Sequence, residues 1–288
     1  MITIIWISLI ALAIWFTIVL IKDFIRHKNS LENSNWVKTA IIGFIVDFFD
    51  VLGIGAFAPQ TALLKFTKQT EDRVMPGTLN VANTIPALIE GIIFIKIIEV
   101  DPLTLVLMLL AAIIGGVIGA GFVSKLPEKT VRVVMGIALL VTAFFMLANN
   151  LEWIQGGGDK IGLSGGKLII ALVVNCILGA LNTAGIGLFA PCMALVFALG
   201  MSPKVAFPIM MGSCALLMPV ASAKFIKEGA YNRKASISMT IAGSIAVIIA
   251  AFLVKSLPLE VLRWVVIGVV IYTSMVMLRA AFKRTQKT

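Results

Sequence analysis

The residues best placed to do chemistry stand beside two glycine-rich motifs. Gly53-Ile54-Gly55-Ala56-Phe57-Ala58-Pro59 recurs 132 positions later as Gly185-Ile186-Gly187-Leu188-Phe189-Ala190-Pro191, each copy inside an apolar run. A break in a membrane helix leaves the first N–H groups of the second half-helix unpaired, and the helix dipole adds partial positive charge there. Glycine lets a ligand approach that backbone, and a proline near the start of the second half-helix gives up an N–H that has no helical partner. Two such ends meeting at mid-membrane would make a seat for a small anion without any cationic side chain. A lone Gly-x-Gly reads as a tight turn or a packing contact; the paired motifs point to a site. The candidate donors are Gly53, Gly55, Gly185 and Gly187, with Ala56, Phe57 and Leu188 beside them.

Two acids, Asp47 and Asp50, precede the first motif, and Gly179 and Asn182 stand in their places before the second. A carboxylate inside the membrane costs about 3 kcal/mol on the insertion scale, so such groups usually face a cavity and have a role. Three readings stand: a proton carrier for an anion site, a cation-coupling site shared with Asn182, or a polar pair that bonds the free backbone of the break. Further along, Asn80, Asn83, Thr84 and Pro86 in one copy and Ser213, Cys214 and Pro219 in the other either line a substrate path or satisfy the carbonyls that proline frees. Asn80, Asn83, Asn182 and Ser213 are the candidate polar lining. Glu90 is read as reaching the interface, and Lys224 and Lys227 as snorkelling.

Other chemistries find little support. Cys176, Cys192 and Cys214 have no metal spacing and lie in apolar runs, so they read as small buried hydrophobes, and the methionines read as packing. The single histidine, His27, sits in a basic loop; there is no intramembrane base, no Ser–His pair and no HExxH. An enzyme, a metal site and a cofactor are not expected. The net charge of +10 lies between apolar spans without interleaved aromatics, which argues for membrane orientation and against nucleic acid.

The elements that must position these residues are membrane helices. Of 288 residues, 60% are hydrophobic and only 13% charged, too few charges to cover a water-soluble core. Ile2–Ile21 is too long for a signal-peptide core, and basic residues follow it, which places the N-terminus outside and the end of the helix in the cytoplasm. The self-similarity extends beyond the motif: Pro76 with Pro208, Phe94-Ile95-Lys96 with Phe225-Ile226-Lys227, and Leu126-Pro127 with Leu257-Pro258. Each copy reads as four segments: 37–66, 74–95, 103–123 and 131–148, then 167–199, 205–225, 235–254 and 259–279. The expected division is an N-terminal transmembrane helix (1–28), a first repeat (37–148), a Gly-rich linker (149–165) and a second repeat (166–280). If the broken first segments cross, the chain has nine crossings and parallel copies. If they dip in and return, it has seven crossings and inverted copies, and this second arrangement gathers more of the Lys and Arg on one side. The expected fold is an all-α integral membrane protein of two inverted repeats with broken re-entrant first helices, plus one extra N-terminal helix, C-terminus cytoplasmic.

The two glycine-rich breaks, and the fourth helices entered through Leu126-Pro127 with Arg132 and Leu257-Pro258 with Arg263, resemble the TauE/SafE sulfite exporter family over about residues 39 to 280. The resemblance implies a permease of a bacterial cell membrane for sulfite, sulfonates or other small anions, commonly linked to protons, with proton handling at Asp47 or Asp50. The family's breaks are richer in glycine; here Ala56-Phe57 and Leu188-Phe189 follow, which bears on the ligand more than on the fold. An anion channel, a carrier of small carboxylates and a structural membrane subunit are the other readings. The expected partners are the anion, the lipid bilayer and protons, with a homo-oligomer left open.

Overall fold

The computed structural model describes residues 2–52, 55–151, 153, 158–185, 187–253 and 259–282. It is all-helical: among the described residues the only β-pairing is an isolated bridge between Lys160 and Met201. The helices are α1 (Ile2–His27), α2 (Trp36–Asp50), α3 (Phe57–Phe66), α4 (Met75–Ile97), α5 (Pro102–Val123), α6 (Glu128–Asn150), α7 (Gly165–Thr183), α8 (Phe189–Ala198), α9 (Ala206–Lys227), α10 (Arg233–Leu253) and α11 (Leu259–Phe282). Short 3-10 turns, Asp72–Val74 and Pro203–Val205, lead into α4 and α9. Each long segment opening a copy is two helices, α2 with α3 and α7 with α8. Six helices among the described residues are long and apolar enough to cross a membrane: α1, α4, α5, α7, α9 and α10.

Local chemistry sets the ends. Asn35 caps α2, its Oδ1 accepting from Val37 and Lys38 N–H at 3.0 Å. Asp101 caps α5 before Pro102. It accepts from the Thr104 N–H and hydroxyl, both at 2.8 Å, and these bonds hold its carboxyl below the usual range. After α8, Gly200 takes φ +82° so that Met201 N–H can reach Val196 O. Lys68 takes the matching left-handed place after α3, with Gln69 N–H on Leu64 O.

The packing repeats with the sequence. α5 packs on α7 as α10 packs on α2, α5 on α9 as α10 on α4, and α3 on α11 as α8 on α6. α4 and α9, which hold the same place in the two copies, pack on each other antiparallel: Gly77 lies against Ala230 and Phe225, Thr84 shares a 2.8 Å hydrogen bond with Ser222, and Gly91 lies against Ala215. α10 runs parallel to both α4 and α2. Ser236 and Thr240 donate to Thr78 O and Ala82 O, while Met239 and Gly243 face Gly43 and Asp47. α2 and α4 therefore point the same way, with α3 between them. The chain also returns to where it left: Ser34 Oγ donates to Gln69 O at 2.8 Å and Asn35 N–H to Gln69 Oε1 at 2.7 Å, joining the residues before α2 to those after α3. The second copy repeats this with Ser202 N–H on Lys160 O and Lys167 Nζ on Leu199 O.

The core lies along α4 and α9. Within the most apolar window of α9, 83% of residues are buried, against 22% in α1, which packs on α9 and α4 by one side only. Small residues permit the close contacts: a β-carbon added at Gly115 would overlap Cys176 O, and one at Gly179 would overlap Ala112 O, so α5 and α7 touch backbone to backbone.

Candidate functional site

α2 ends at Asp50 and α3 begins at Phe57; Gly55 between them has φ +89°, which favours glycine. The N–H groups of Gly55 and Ala56 precede α3, and the buried Asp50 carboxyl lies close to both, its Oδ1 without a hydrogen-bond partner among the described residues. The first break is thus faced by an acid from the helix that precedes it. Asp47, one turn earlier and 1% exposed, accepts from Gln60 Nε2 at 2.7 Å through Oδ1. The same amide faces Asn83 in both directions, Gln60 Nε2 to Asn83 Oδ1 at 2.9 Å and Asn83 Nδ2 to Gln60 Oε1 at 2.6 Å. A continuous polar chain, Asp47–Gln60–Asn83, therefore joins α2, α3 and α4. Asp47 Oδ2 has no hydrogen-bond partner among the described residues, and it fits because α10 offers Gly243 there; a β-carbon at that position would overlap it.

Glu90 follows Asn83 by two turns of α4. It is 1% exposed, neither oxygen has a partner among the described residues, and it lies within electrostatic reach of Asp50 and Asp47. The expectation that it reaches the interface is corrected: α9, α10 and α2 close over α4 at this depth. Pro86, one turn earlier, frees the carbonyl of Ala82, and Thr240 Oγ1 donates to it at 2.9 Å. Part of the polar content of α4 and α10 thus repairs the proline.

The second break is built on the same motif with different side chains. α7 ends at Thr183, α8 begins at Phe189, and Gly185 has φ +95°. Gly179 and Asn182 replace Asp47 and Asp50, and Cys192 replaces Gln60. The Asn182 side chain is 1% exposed and its Nδ2 donor has no partner among the described residues. Asn80 reaches across from α4, donating to Thr183 O at 3.4 Å and to Pro76 O at 2.8 Å, with its Oδ1 unpartnered.

The two breaks meet. A β-carbon placed on Gly55 would lie 3.9 Å from Cβ of Phe189, and one placed on Gly187 would lie 3.9 Å from Cβ of Phe57, a reciprocal contact between equivalent positions. Ala56, Phe57, Leu188 and Phe189 are buried around this junction. Of the sequence-derived candidates, Asp47, Asp50, Gly55, Asn83 and Phe57 gather at the first break, and Asn80, Asn182, Gly185, Gly187 and Leu188 at the second. Gly53 lies outside the described residues. Ser213 is bonded to Asn175 at 3.2 Å, two turns ahead of the second break, and no described contact brings it to the junction.

Three features escaped the sequence reading. Gln60 was not among the sequence candidates, and Glu90 was read as reaching the interface. The third is a vestibule of about 730 Å³ at the end of α3, where Lys65 and Arg132 both bond Asp72, with Gln69, Tyr231 and Tyr272 in its wall. The spacing of Lys65, Asp72 and Arg132 carries no motif, so only the fold could unite them. Among the described residues no group of His, Cys, Asp and Glu is arranged to hold a metal ion.

A family model described as Sulfite exporter TauE/SafE matches residues 1–146. The match begins at residue 1, so α1 falls within it, whereas the motif resemblance began near residue 39. No curated protein and no solved structure matches the chain.

Proposed function

The chain belongs to the sulfite exporter TauE/SafE family, and on that premise we propose that it is a secondary transporter whose small-anion seat is the second of its two helix breaks. It is a multi-pass membrane protein of a transporter family, and the substrate class that follows is a small anion. Sulfite and organosulfonates come first, then short carboxylates. The observation that carries the seat is the contrast at the junction: the Asp50 carboxyl faces the first break, while at the second Asn182, shortly before Gly187 and the start of α8 in the chain, leaves an amide donor unpartnered.

In this reading the two copies are inverted. The antiparallel packing of the equivalent helices α4 and α9 supports this, because copies related along the membrane normal would pack those helices parallel. Each opening helix pair is re-entrant. The support is the contact of residues 34–35 with 69, and of 160–167 with 199–202; α7 has the length to cross, yet its chain comes back. The crossings are then α1, α4, α5, α6, α9, α10 and α11, with the N-terminus outside and the C-terminus in the cytoplasm of a bacterial cell. The vestibule at Lys65, Asp72 and Arg132 opens to the cytoplasm, where the two cations meet an arriving anion. Asp47, Asp50 and Glu90 handle the coupling proton: a neutral Asp50 releases its hold on the first break, and the halves exchange access around the junction.

Thermal stabilisation of the purified protein against sulfur oxyanions, sulfonates and short carboxylates tests the seat, since a ligand stabilises the state it binds. Stabilisation by at least one class is expected; none from any anion overturns the reading. A channel would pass weakly saturating currents in planar bilayers where a transporter shows saturating uptake. For topology, Gln69 is buried, so the reporter cysteine belongs at exposed Lys68. In a background free of the three native cysteines, labelling from the cytoplasm alone is expected, and periplasmic labelling would sink the re-entrant arrangement.

A further inference from the structure

α1 and α9 run side by side and in the same direction. α1 lies antiparallel to α4 (Trp6 donates to Ile92 O, whereas Asp23 meets residues just after α9), and α4 lies antiparallel to α9. At their C-terminal ends the two helices bound a cavity of about 600 Å³. Four cations face it, Lys22, Arg26, Lys227 and Arg233, against two carboxylates, Asp23 and Glu228. Both carboxylates are already engaged. Asp23 accepts from Arg233 Nε at 2.8 Å and from Tyr231 OH at 2.6 Å, and Glu228 accepts from Lys224 Nζ at 2.9 Å. Arg233 is further held by Glu32. Lys22, Arg26 and Lys227 are exposed, and none has a carboxylate within ion-pair distance among the described residues.

The same face of α1 is apolar above this point. Ile4, Ser8, Ala11 and Trp15 line a second cavity of about 700 Å³ with Leu109, Ile113 of α5 and Leu216 of α9. The α1 positions 4, 8, 11 and 15 continue at helical spacing as 19, 22 and 26, so the two cavities lie on one face of α1. From Ala11 to Lys22 is about 16 Å along the helix axis, comparable to half a bilayer's hydrocarbon.

We propose that this groove along α1, walled by α9 at its charged end and mainly by α5 at its apolar end, is a binding site for one anionic phospholipid, its phosphate held by Lys22, Arg26 and Lys227 and its acyl chains laid along the apolar stretch above. The charge requires an anion and the adjoining apolar channel requires chains; a zwitterionic lipid leaves the surplus positive charge unmet. Each cation near a membrane surface strengthens attraction to anionic lipid roughly fivefold, and the three together give the site its preference. This site is separate from the junction of the breaks and does not depend on which anion the protein carries.

The test is native mass spectrometry of the full chain in detergent, with phosphatidylglycerol and phosphatidylcholine of identical chains. Phosphatidylglycerol should be retained roughly tenfold or more over phosphatidylcholine. The combined variant Lys22→Gln, Arg26→Gln, Lys227→Gln should lose that preference, while Lys38→Gln, a surface charge away from the groove, should keep it. Equal retention of both lipids, a preference surviving the combined variant, or an equal loss in Lys38→Gln would each overturn the proposal. Displacement of the lipid by soluble glycerol phosphate at equal concentration would assign the cations to a water-borne anion and also overturn it. Should the combined variant fail to fold, Ala11→Trp fills the apolar stretch at an exposed position with every charge in place; it should lower phosphatidylglycerol retention, and unchanged retention would refute the lipid.

Discussion

The first and second breaks share a motif, a left-handed glycine and a reciprocal contact, yet they differ in who supplies the negative charge. At the first, the Asp50 carboxyl lies close to the Gly55 and Ala56 N–H groups, and Asp47, Gln60 and Asn83 form a bonded chain nearby. At the second, Gly179, Asn182 and Cys192 hold those places and an amide donor is left over. The two copies present equivalent helix ends; an acid faces one, and an unpartnered amide donor stands at the other, which is the one proposed to receive the anion. The lesson is that a repeated scaffold can place an acid at one break and an amide at the equivalent position of the other.

The sharpest way to break this contrast is to make the second break like the first. Asn182→Asp should place a carboxylate where the anion is proposed to bind. Two like charges about 4 Å apart oppose each other by roughly 4 kcal/mol at an effective dielectric of about 20, so stabilisation by sulfite or a sulfonate should vanish. A variant that still responds to the anion would mean that the seat lies elsewhere. Next, Glu90→Gln and Asp47→Asn should separate proton handling from anion binding. Groups that pass protons typically contribute about a hundredfold in rate, so uptake at acidic pH should fall by that order while anion-induced stabilisation persists. Unchanged pH dependence in both would remove the carboxyls from coupling.

A smaller effect tests the packing that separates the halves. Gly243 on α10 makes room for Asp47, whereas at the equivalent contact Gly179 makes room for Ala112. The small residue has changed sides of the interface. Gly243→Ala should cost about 1–3 kcal/mol by overpacking, and adding Asp47→Gly should recover most of it, since the pair then copies the second half; a double-mutant cycle on thermal midpoints reads the coupling. Smallest of all, Thr240→Val removes the hydroxyl that serves the carbonyl freed by Pro86 and should cost about 1 kcal/mol or less. A loss several times larger would show that Thr240 supports the site as well as the helix.

Helices and their breaks were legible in the sequence because hydropathy and Gly-Pro punctuation are local. Segments expected at 103–123 and 205–225 are α5 at 102–123 and α9 at 206–227. The asymmetry between Asp50 and Asn182 was also legible, since the motif aligns the two positions. A bond from the acid pair to the break's own backbone was one of the three readings the sequence left open, and choosing among them depends on the turn at Gly55, whose conformation is not set by the local pattern alone. Glu90 was misread for a related reason: distance from a helix end says nothing about how many neighbours close over it. Lys65, Asp72 and Arg132 were invisible as a group, because 60 residues separate the latter two and only the contact of α6 with the turn before α4 joins them.

The bridge between Asp23 and Arg233 has a consequence for biogenesis. Its partners lie 210 residues apart. At about 5–20 residues per second, synthesis takes roughly 10–40 s to cover that stretch. During that interval α1 sits in the bilayer with few of its final neighbours and Asp23 without its guanidinium. α1 is thus fastened late by the residue that opens α10, so that ion pair acts as a latch that closes only after the helices between its partners have been made.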